Sequence, residues 1–385
     1  MDKIAYFDNA ATTFPKPEVV YEFMDKFYRS CGVNVGRGQY KLASKAHFIT
    51  EETRNLLLEL FHCENKKVVF SASATESINV VLQGLITENT KNIYISPFEH
   101  NSITRTLHYL KNKYTFNIYQ LKVNKETLEY DFDEIKKQFK KNIPDFLIMS
   151  HGSNVCGLIS PIEKIFSESK KYNCINIADI CQTAGLIDID LSSNIYDVAV
   201  FAGHKTLYGP FGVSGMIFKD SLNIKPLLYG GTGIDSANQD LPKEIPSRYE
   251  VGSHNIMGIS GLNASLKWIK SEGIDNILKK ERNNFIKLHK LLKEYSNLKI
   301  VGFKDFDSHV GVISCEFDNY TSDEIGRVLN KFNIGVRTGL HCSPLAHKFL
   351  GTFPSGTVRF SVSYFNSDED FKQLREALSY IQDNS

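Results

Sequence analysis

Several absences bound what this 385-residue chain can be. No stretch approaches the roughly 20 consecutive apolar residues that a membrane-spanning helix needs. No strong charge imbalance exists: 45 Lys and Arg stand against 44 Asp and Glu, a formal net charge of +1. A basic patch for nucleic acid and an acidic solvating tail are therefore not expected. Cysteine is sparse and irregular, with seven residues and no C-x-x-C spacing, which argues against a disulfide framework and against a zinc ribbon. No internal repeat or low-complexity linker interrupts the chain. The opening MDKIAYFDNAATT lacks the apolar centre of a signal peptide, so the expected compartment is the cytoplasm. What remains is an ordinary globular composition, 42% hydrophobic and 23% charged, long enough for two domains and a large core.

From about residue 48 the pattern alternates. FITEETRNLLLELF carries leucines at helical spacing, VVFSAS reads as a strand and TESINVVLQGL as a helix. NIYIS, DFLIMSH, CINIAD, DVAVFAG and VSGMIF read as further strands, and NSITRTLHYLKNK and PIEKIFSESKKY as helices between them. Such β-α-β alternation predicts an α/β protein with a mostly parallel sheet covered by helices. Beyond about residue 255 come two long helical stretches over 256–296. Strands follow at LKIVGF, HVGVISCEF, NIGVRTG and TVRFSVSYF, with a helix over 322–332 and another at DEDFKQLREALSYIQ. This half predicts a smaller α+β domain.

Polar residues recur just after the predicted strands: Thr75, His100, Asn154, Asp179 and Lys205. In a parallel sheet those positions converge at the carboxyl edge, where ligands bind. A lysine ending a hydrophobic strand, as in FAGHK, is most simply a solvated cap. Desolvated in a site, it can form a Schiff base with a carbonyl. An aspartate closing the apolar CINIAD needs a cation, and a pyridinium nitrogen would serve. SATESIN offers exposed N–H groups at a helix start, suited to a phosphate, although Thr75 there can equally be an ordinary N-cap. His100 could stack on a planar ring. Together these are the parts of a pyridoxal 5'-phosphate (PLP) site.

The motifs also resemble a known family. YFDNAATT at 6–13, NVGRGQYKLA at 34–43, SATESIN, EHNS, HGSNVCG, ADICQTAG, FAGHKTLYGPFG, the glycine pair 230–231, RYEVGSHN at 248–255, RTGLHC at 337–342 and TVRFSVSYFN at 357–366 stand in the order found in class V aminotransferases. These are PLP enzymes of fold type I, and the nearest branch is the cysteine desulfurases and selenocysteine lyases. The resemblance implies a large domain over residues 15–255 with a mostly parallel seven-stranded sheet. A small domain would comprise 1–14 and 256–385 and carry the catalytic cysteine.

It also implies roles. Lys205 would bond the cofactor aldehyde and move the Cα proton. Asp179 would hold the ring nitrogen, Gln182 the phenolic oxygen with Asn154 beside it near the substrate, and His100 would stack on the ring and take part in catalysis. Thr75, with Ala74 beside it, and His204 would bind the phosphate. Ser253 would reach the phosphate of a neighbouring subunit, which implies a homodimer. Arg359 would clamp the substrate α-carboxylate, with Arg37 at the site mouth. Cys342 would attack the sulfur of L-cysteine, releasing alanine and keeping a persulfide, with His341 or His100 assisting the thiolate.

A sulfur-acceptor protein, and a place in sulfur metabolism including iron–sulfur cluster assembly, are implied in turn. No metal is expected. The departures are Ala74 and Ala202, where relatives often carry hydroxyls, and Gly36, where the sulfur-mobilising branch commonly has His. L-selenocysteine as substrate, another PLP reaction such as transamination or β-elimination, and a non-catalytic scaffold remain the alternatives.

Overall fold

The computed structural model describes residues 4–35, 38–234 and 237–384. The first half runs β1 (Ala5–Tyr6), α1 (Glu18–Cys31), α2 (Lys41–Leu60), β2 (Lys66–Ser71), α3 (Ala74–Leu85), β3 (Asn92–Ile95), α4 (Asn101–Lys111), β4 (Asn117–Gln120) and α5 (Phe132–Lys141). It continues with β5 (Phe146–Ser150), α6 (Ile162–Lys170), β6 (Ile175–Asp179), β7 (Val198–Ala202) and β8 (Ser214–Lys219). The second half comprises α7 (Ile256–Glu272), α8 (Ile274–Lys293), β9 (Leu298–Val301), β10 (Val312–Phe317), α9 (Ser322–Lys331), β11 (Ile334–Gly335), β12 (Arg337–Gly339), α10 (Pro344–Leu350), β13 (Thr357–Ser361) and α11 (Asp368–Asp383). Among the described residues no helix is long and apolar enough to cross a membrane.

The expected large sheet is present, with seven strands in the order β2-β8-β7-β6-β5-β3-β4. β3 to β7 are mutually parallel, while β8 runs antiparallel to both β7 and β2. β5 and β7 are buried at every position, because helices cover both faces of the sheet. Alternate side chains feed opposite faces, as the two-residue period requires. Ile148, Ile177 and Val200 enter one core, and Leu147, Met149, Ala178 and Phe201 enter the other.

The strand at 333–339 divides. β11 pairs in parallel with β1, whereas β12 pairs with β13 in a four-stranded sheet ordered β12-β13-β10-β9. A separate core gathers Ala5 and Phe7 with Phe285, Leu329, Phe360 and Leu378. The chain start therefore packs with the second half. α1, β4, α5 and α10 have no counterpart among the elements read from sequence. β4 is an edge strand with one partner and no fully buried position, so it lacks the apolar run that announces β5. The helix expected from residue 48 starts at Lys41.

Candidate active site

Strand ends bring the polar residues together. A cavity of about 210 Å³ is lined by Ala74, Thr75, His100, Asn154, Asp179, Gln182, His204, Lys205, Cys342 and Arg359 among others. Asp179 is the last residue of β6 and lies in register with Ser150 and Val200 on its neighbours. It is 8% exposed, and its Oδ1 accepts from the Cys181 backbone N–H at 3.0 Å. Lys205 follows β7 by three residues, within the Gly203 turn. That turn is pinned by the N-terminal segment. Thr13 Oγ1 donates to the Lys205 carbonyl at 2.9 Å, and Thr12 Oγ1 and Lys16 Nζ donate to the His204 carbonyl at 3.0 and 2.7 Å. Burial lowers the Lys16 ammonium pKa to about 7.

Ser73, rather than Thr75, caps α3: its side chain accepts from the Glu76 backbone N–H. Thr75 stands one position inside the first turn, where the backbone N–H groups have no acceptor within the helix. His100 caps α4, and its Nδ1 accepts from the Ser102 backbone N–H at 3.0 Å. Burial, followed by the Lys205 charge, lowers its pKa to about 4. The ring is neutral at pH 7 and carries its proton on Nε2. His204 stacks on Phe211 with centroids 4.7 Å apart, and its buried Nδ1 has no hydrogen-bond partner among the described residues. Gln182 Nε2 donates to the Ala10 carbonyl at 2.9 Å.

Arg359 is buried at one wall. Its Nη2 donates to Asp8 Oδ1 at 2.7 Å and its Nη1 to the Asn154 carbonyl at 2.8 Å, while its buried Nε has no partner among the described residues. Arg337 stands directly opposite Arg359 on β12 and donates from Nε to Asp8 Oδ2 at 3.2 Å. Asp8 thus bridges two arginines. Neither Asp8 nor Arg337 was assigned a role from sequence, although both lie in quoted motifs. Their meeting depends on the pairing of β12 with β13 and on the Asp8–Ser361 bridge.

Cys342 is exposed, whereas the other six cysteines are buried. Burial pushes the thiols of Cys156 and Cys181 above the usual range, so neither is a ready nucleophile. His341 does not suit the role of base for Cys342. Its Nε2 contacts Thr357 Oγ1 at 2.9 Å, and the Thr357 hydroxyl donates onward to Ser314 Oγ. Nε2 therefore carries the proton, Nδ1 is buried, and burial holds the pKa down at about 2. His341 and Cys342 both take left-handed backbone angles, φ 47° and 58°, a conformation that costs a non-glycine residue about 1–3 kcal/mol.

One expected site residue lies elsewhere in its own chain. Ser253 is exposed and does not line this cavity. It accepts from Asn34 Nδ2 at 3.2 Å and edges a groove of about 920 Å³ with Arg54, Glu250 and Gly231. Arg37, with Gly36 beside it, lies outside the described residues. Among the described residues no group of His, Cys, Asp and Glu could hold a metal ion.

A lysine just past one parallel strand, an aspartate ending the next, and a small unit closing over the carboxyl edge of a seven-stranded sheet define the fold type I class of transferases. Residues 5–374 match the family described as aminotransferase class-V. A probable cysteine desulfurase of Pyrococcus abyssi is 31% identical over 386 residues, covering 98% of this chain and 94% of that protein. A cysteine desulfurase of Escherichia coli is 27% identical over 98% of this chain and 93% of that protein. The apo structure of a cysteine desulfurase from Thermococcus onnurineus matches with a TM-score of 0.90 at 27% identity, over 99% of this chain and 95% of that one. The chain belongs to the class-V aminotransferase family.

Proposed function

We propose that this protein is a PLP-dependent cysteine desulfurase that converts L-cysteine to L-alanine and retains the sulfur on Cys342. One observation carries the reading: the sole exposed cysteine of the seven lines the cavity that also holds Lys205, Asp179 and Arg359.

The residues present fit PLP. Lys205 offers the amine, Asp179 a carboxylate for the ring nitrogen, and His100 an imidazole face. The α3 first turn, Thr75 and the His204 Nδ1, which has no hydrogen-bond partner among the described residues, offer phosphate contacts. Ala74 and Ala202 offer no hydroxyl. When bound, PLP supplies an electron sink for the charge that develops at the substrate Cα.

The chain's own residues do the rest. The guanidinium of Arg359 holds the α-carboxylate and so fixes which Cα bond faces the Lys205 amine. The Lys205 amine takes the Cα proton and later returns a proton. The Cys342 thiolate attacks the substrate sulfur, so that an S–S bond forms as the Cβ–S bond breaks, and the released electron pair ends as a C–H bond of alanine. His100 is neutral because burial lowers its pKa to about 4, and it offers its Nε2–H as a hydrogen-bond donor because Nδ1 accepts from the Ser102 N–H.

We extend the proposal to a homodimer. Ser253 lies outside its own chain's cavity, on a groove beside Gly231 and Ile234, and Tyr229 nearby is 69% exposed. Ser253 would complete the phosphate site of a second copy. The persulfide would pass to an acceptor protein, and seven unpaired thiols suit a reducing, cytoplasmic setting. The test is incubation of purified protein with L-cysteine under reductant. Alanine and sulfide in equal amounts from a protein of twice the chain mass are expected; alanine without sulfide, or pyruvate in its place, would overturn the reading.

A further inference from the structure

The segment carrying Cys342 is gripped on both sides by one side chain. Asn154 Nδ2 donates to the His341 carbonyl at 2.6 Å, and the Ser343 hydroxyl donates to Asn154 Oδ1 at 2.7 Å. The carbonyl of Cys342 itself accepts from the backbone N–H of Asn101, the first residue of α4, at 2.7 Å. Ser343 N–H closes the turn onto the Leu340 carbonyl at 2.8 Å. Asn154 and Ser343 are both buried. These bonds surround the two consecutive left-handed residues, His341 and Cys342, a backbone that persists only where its surroundings hold it. The backbone carbonyl of Asn154 is meanwhile held by Arg359 Nη1 at 2.8 Å.

We propose that Asn154 and Ser343 are positioning residues that clamp the Cys342 turn and tie it to the arginine facing the substrate carboxylate. The inference rests on the desulfurase reading and deepens it. Both ends of the Asn154 amide are committed to the thiol segment, so a residue expected from sequence beside the cofactor acts on the nucleophile. A thiolate attacking a sulfur atom must approach along the Cβ–S axis, and small misplacement is costly. A free loop would sample many approaches, whereas a turn fixed at residues 341, 342 and 343 presents Sγ in one. Because the same asparagine is anchored to Arg359, the two ends of the substrate are addressed from one rigid unit.

The experiment uses the cofactor-loaded protein and three variants. Ser343→Ala removes one hydroxyl and leaves Asn154 Oδ1 buried without its donor. Amide hydrogen exchange over residues 338–345 is expected to rise about tenfold, since each lost buried hydrogen bond lowers the local opening cost. The kcat for L-cysteine is expected to fall about 10- to 100-fold, with KM and the visible cofactor absorption unchanged. Ser343→Thr, which keeps the hydroxyl, should restore both exchange and kcat. Asn154→Asp keeps the acceptor for Ser343 but sets a carboxylate oxygen against the His341 carbonyl, and should loosen the same amides.

Wild-type exchange in both Ser343→Ala and Asn154→Asp would overturn the clamp. So would a loosened turn with undiminished kcat, or a kcat loss shared equally with KM. If the wild-type protein releases no alanine, the desulfurase reading fails by itself, and the exchange measurement alone then upholds or overturns the clamp.

Discussion

Replacing Arg359 by Lys keeps a positive charge and removes the planar fork. The side chain is 2% exposed, and its two terminal nitrogens reach different acceptors, Asp8 Oδ1 at 2.7 Å and the Asn154 carbonyl at 2.8 Å. An ammonium on a shorter reach satisfies one of them. A hydrogen bond to a charged group contributes about 1.5–3 kcal/mol, so the same loss applied to substrate carboxylate binding raises KM by roughly 10- to 150-fold at 1.36 kcal/mol per decade. Burial already presses the Arg359 pKa downward, with Asp8 opposing. A lysine in that position sheds its proton more readily, which adds to the loss. The assay is steady-state alanine release against L-cysteine concentration, together with the affinity for L-alanine as a product. The reasoning predicts a weakening of both KM and alanine affinity by similar factors. A KM within threefold of wild type would refute the assignment of Arg359 to the carboxylate.

Other expectations follow from the same geometry. Lys205→Ala should abolish the visible absorption of bound cofactor and the borohydride-fixable label, as read by spectrum and peptide mass; an unchanged spectrum would count against Lys205. Thermal stability should fall as pH drops from about 6.5 toward 4. Burial lowers the pKa values of His100, His151, His309 and His347 to about 4. Between roughly 6.5 and 4 the unfolded chain therefore binds more protons, and stability falls with pH. Glu99 and Glu281 are raised by burial to about 7 and 8. Those two carboxyls bind more protons in the folded chain. Lys16 and Lys66, lowered by burial to about 7 and 8, shift the proton balance the opposite way, so stability is nearly flat between pH 8 and 7. A midpoint that climbs steadily from pH 8 to pH 5 would contradict this. Arg54→Met should cost about 3–5 kcal/mol by stranding Glu250 in the interior, because the pair is bidentate at 2.8 and 2.6 Å and nearly fully buried. Calorimetry should show the double variant Arg54→Met, Glu250→Leu regaining most of the loss.

What could be read from sequence follows burial. β5 and β7 are apolar at nearly every position because both faces are covered, and such runs announce themselves. β4 has one hydrogen-bonded neighbour and stays half exposed, so its NIYQ carries no such run. The meeting of Asp179, which ends β6, with Lys205, three residues past β7, was legible because strand ends in a parallel sheet converge by topology. Asp8 and Arg337 were not, because their meeting with Arg359 spans 351 and 22 positions and depends on the register of β12 against β13. Thr75 was misread as a possible cap because a serine two residues earlier, Ser73, holds the Glu76 amide. The grip of Asn154 on the Cys342 turn was equally invisible, since its two partners lie 187 and 189 residues away.

The central claim is that Cys342 accepts sulfur within a cavity served by Lys205 and Arg359. The most direct measurement compares wild type with Cys342→Ala after incubation with L-cysteine, reading the mass of the peptide that contains residue 342 and the alanine released. The account predicts a wild-type peptide heavier by one sulfur atom, and a variant that keeps its cofactor, still binds L-cysteine and releases almost no alanine. Alanine release by Cys342→Ala at the wild-type rate would contradict it.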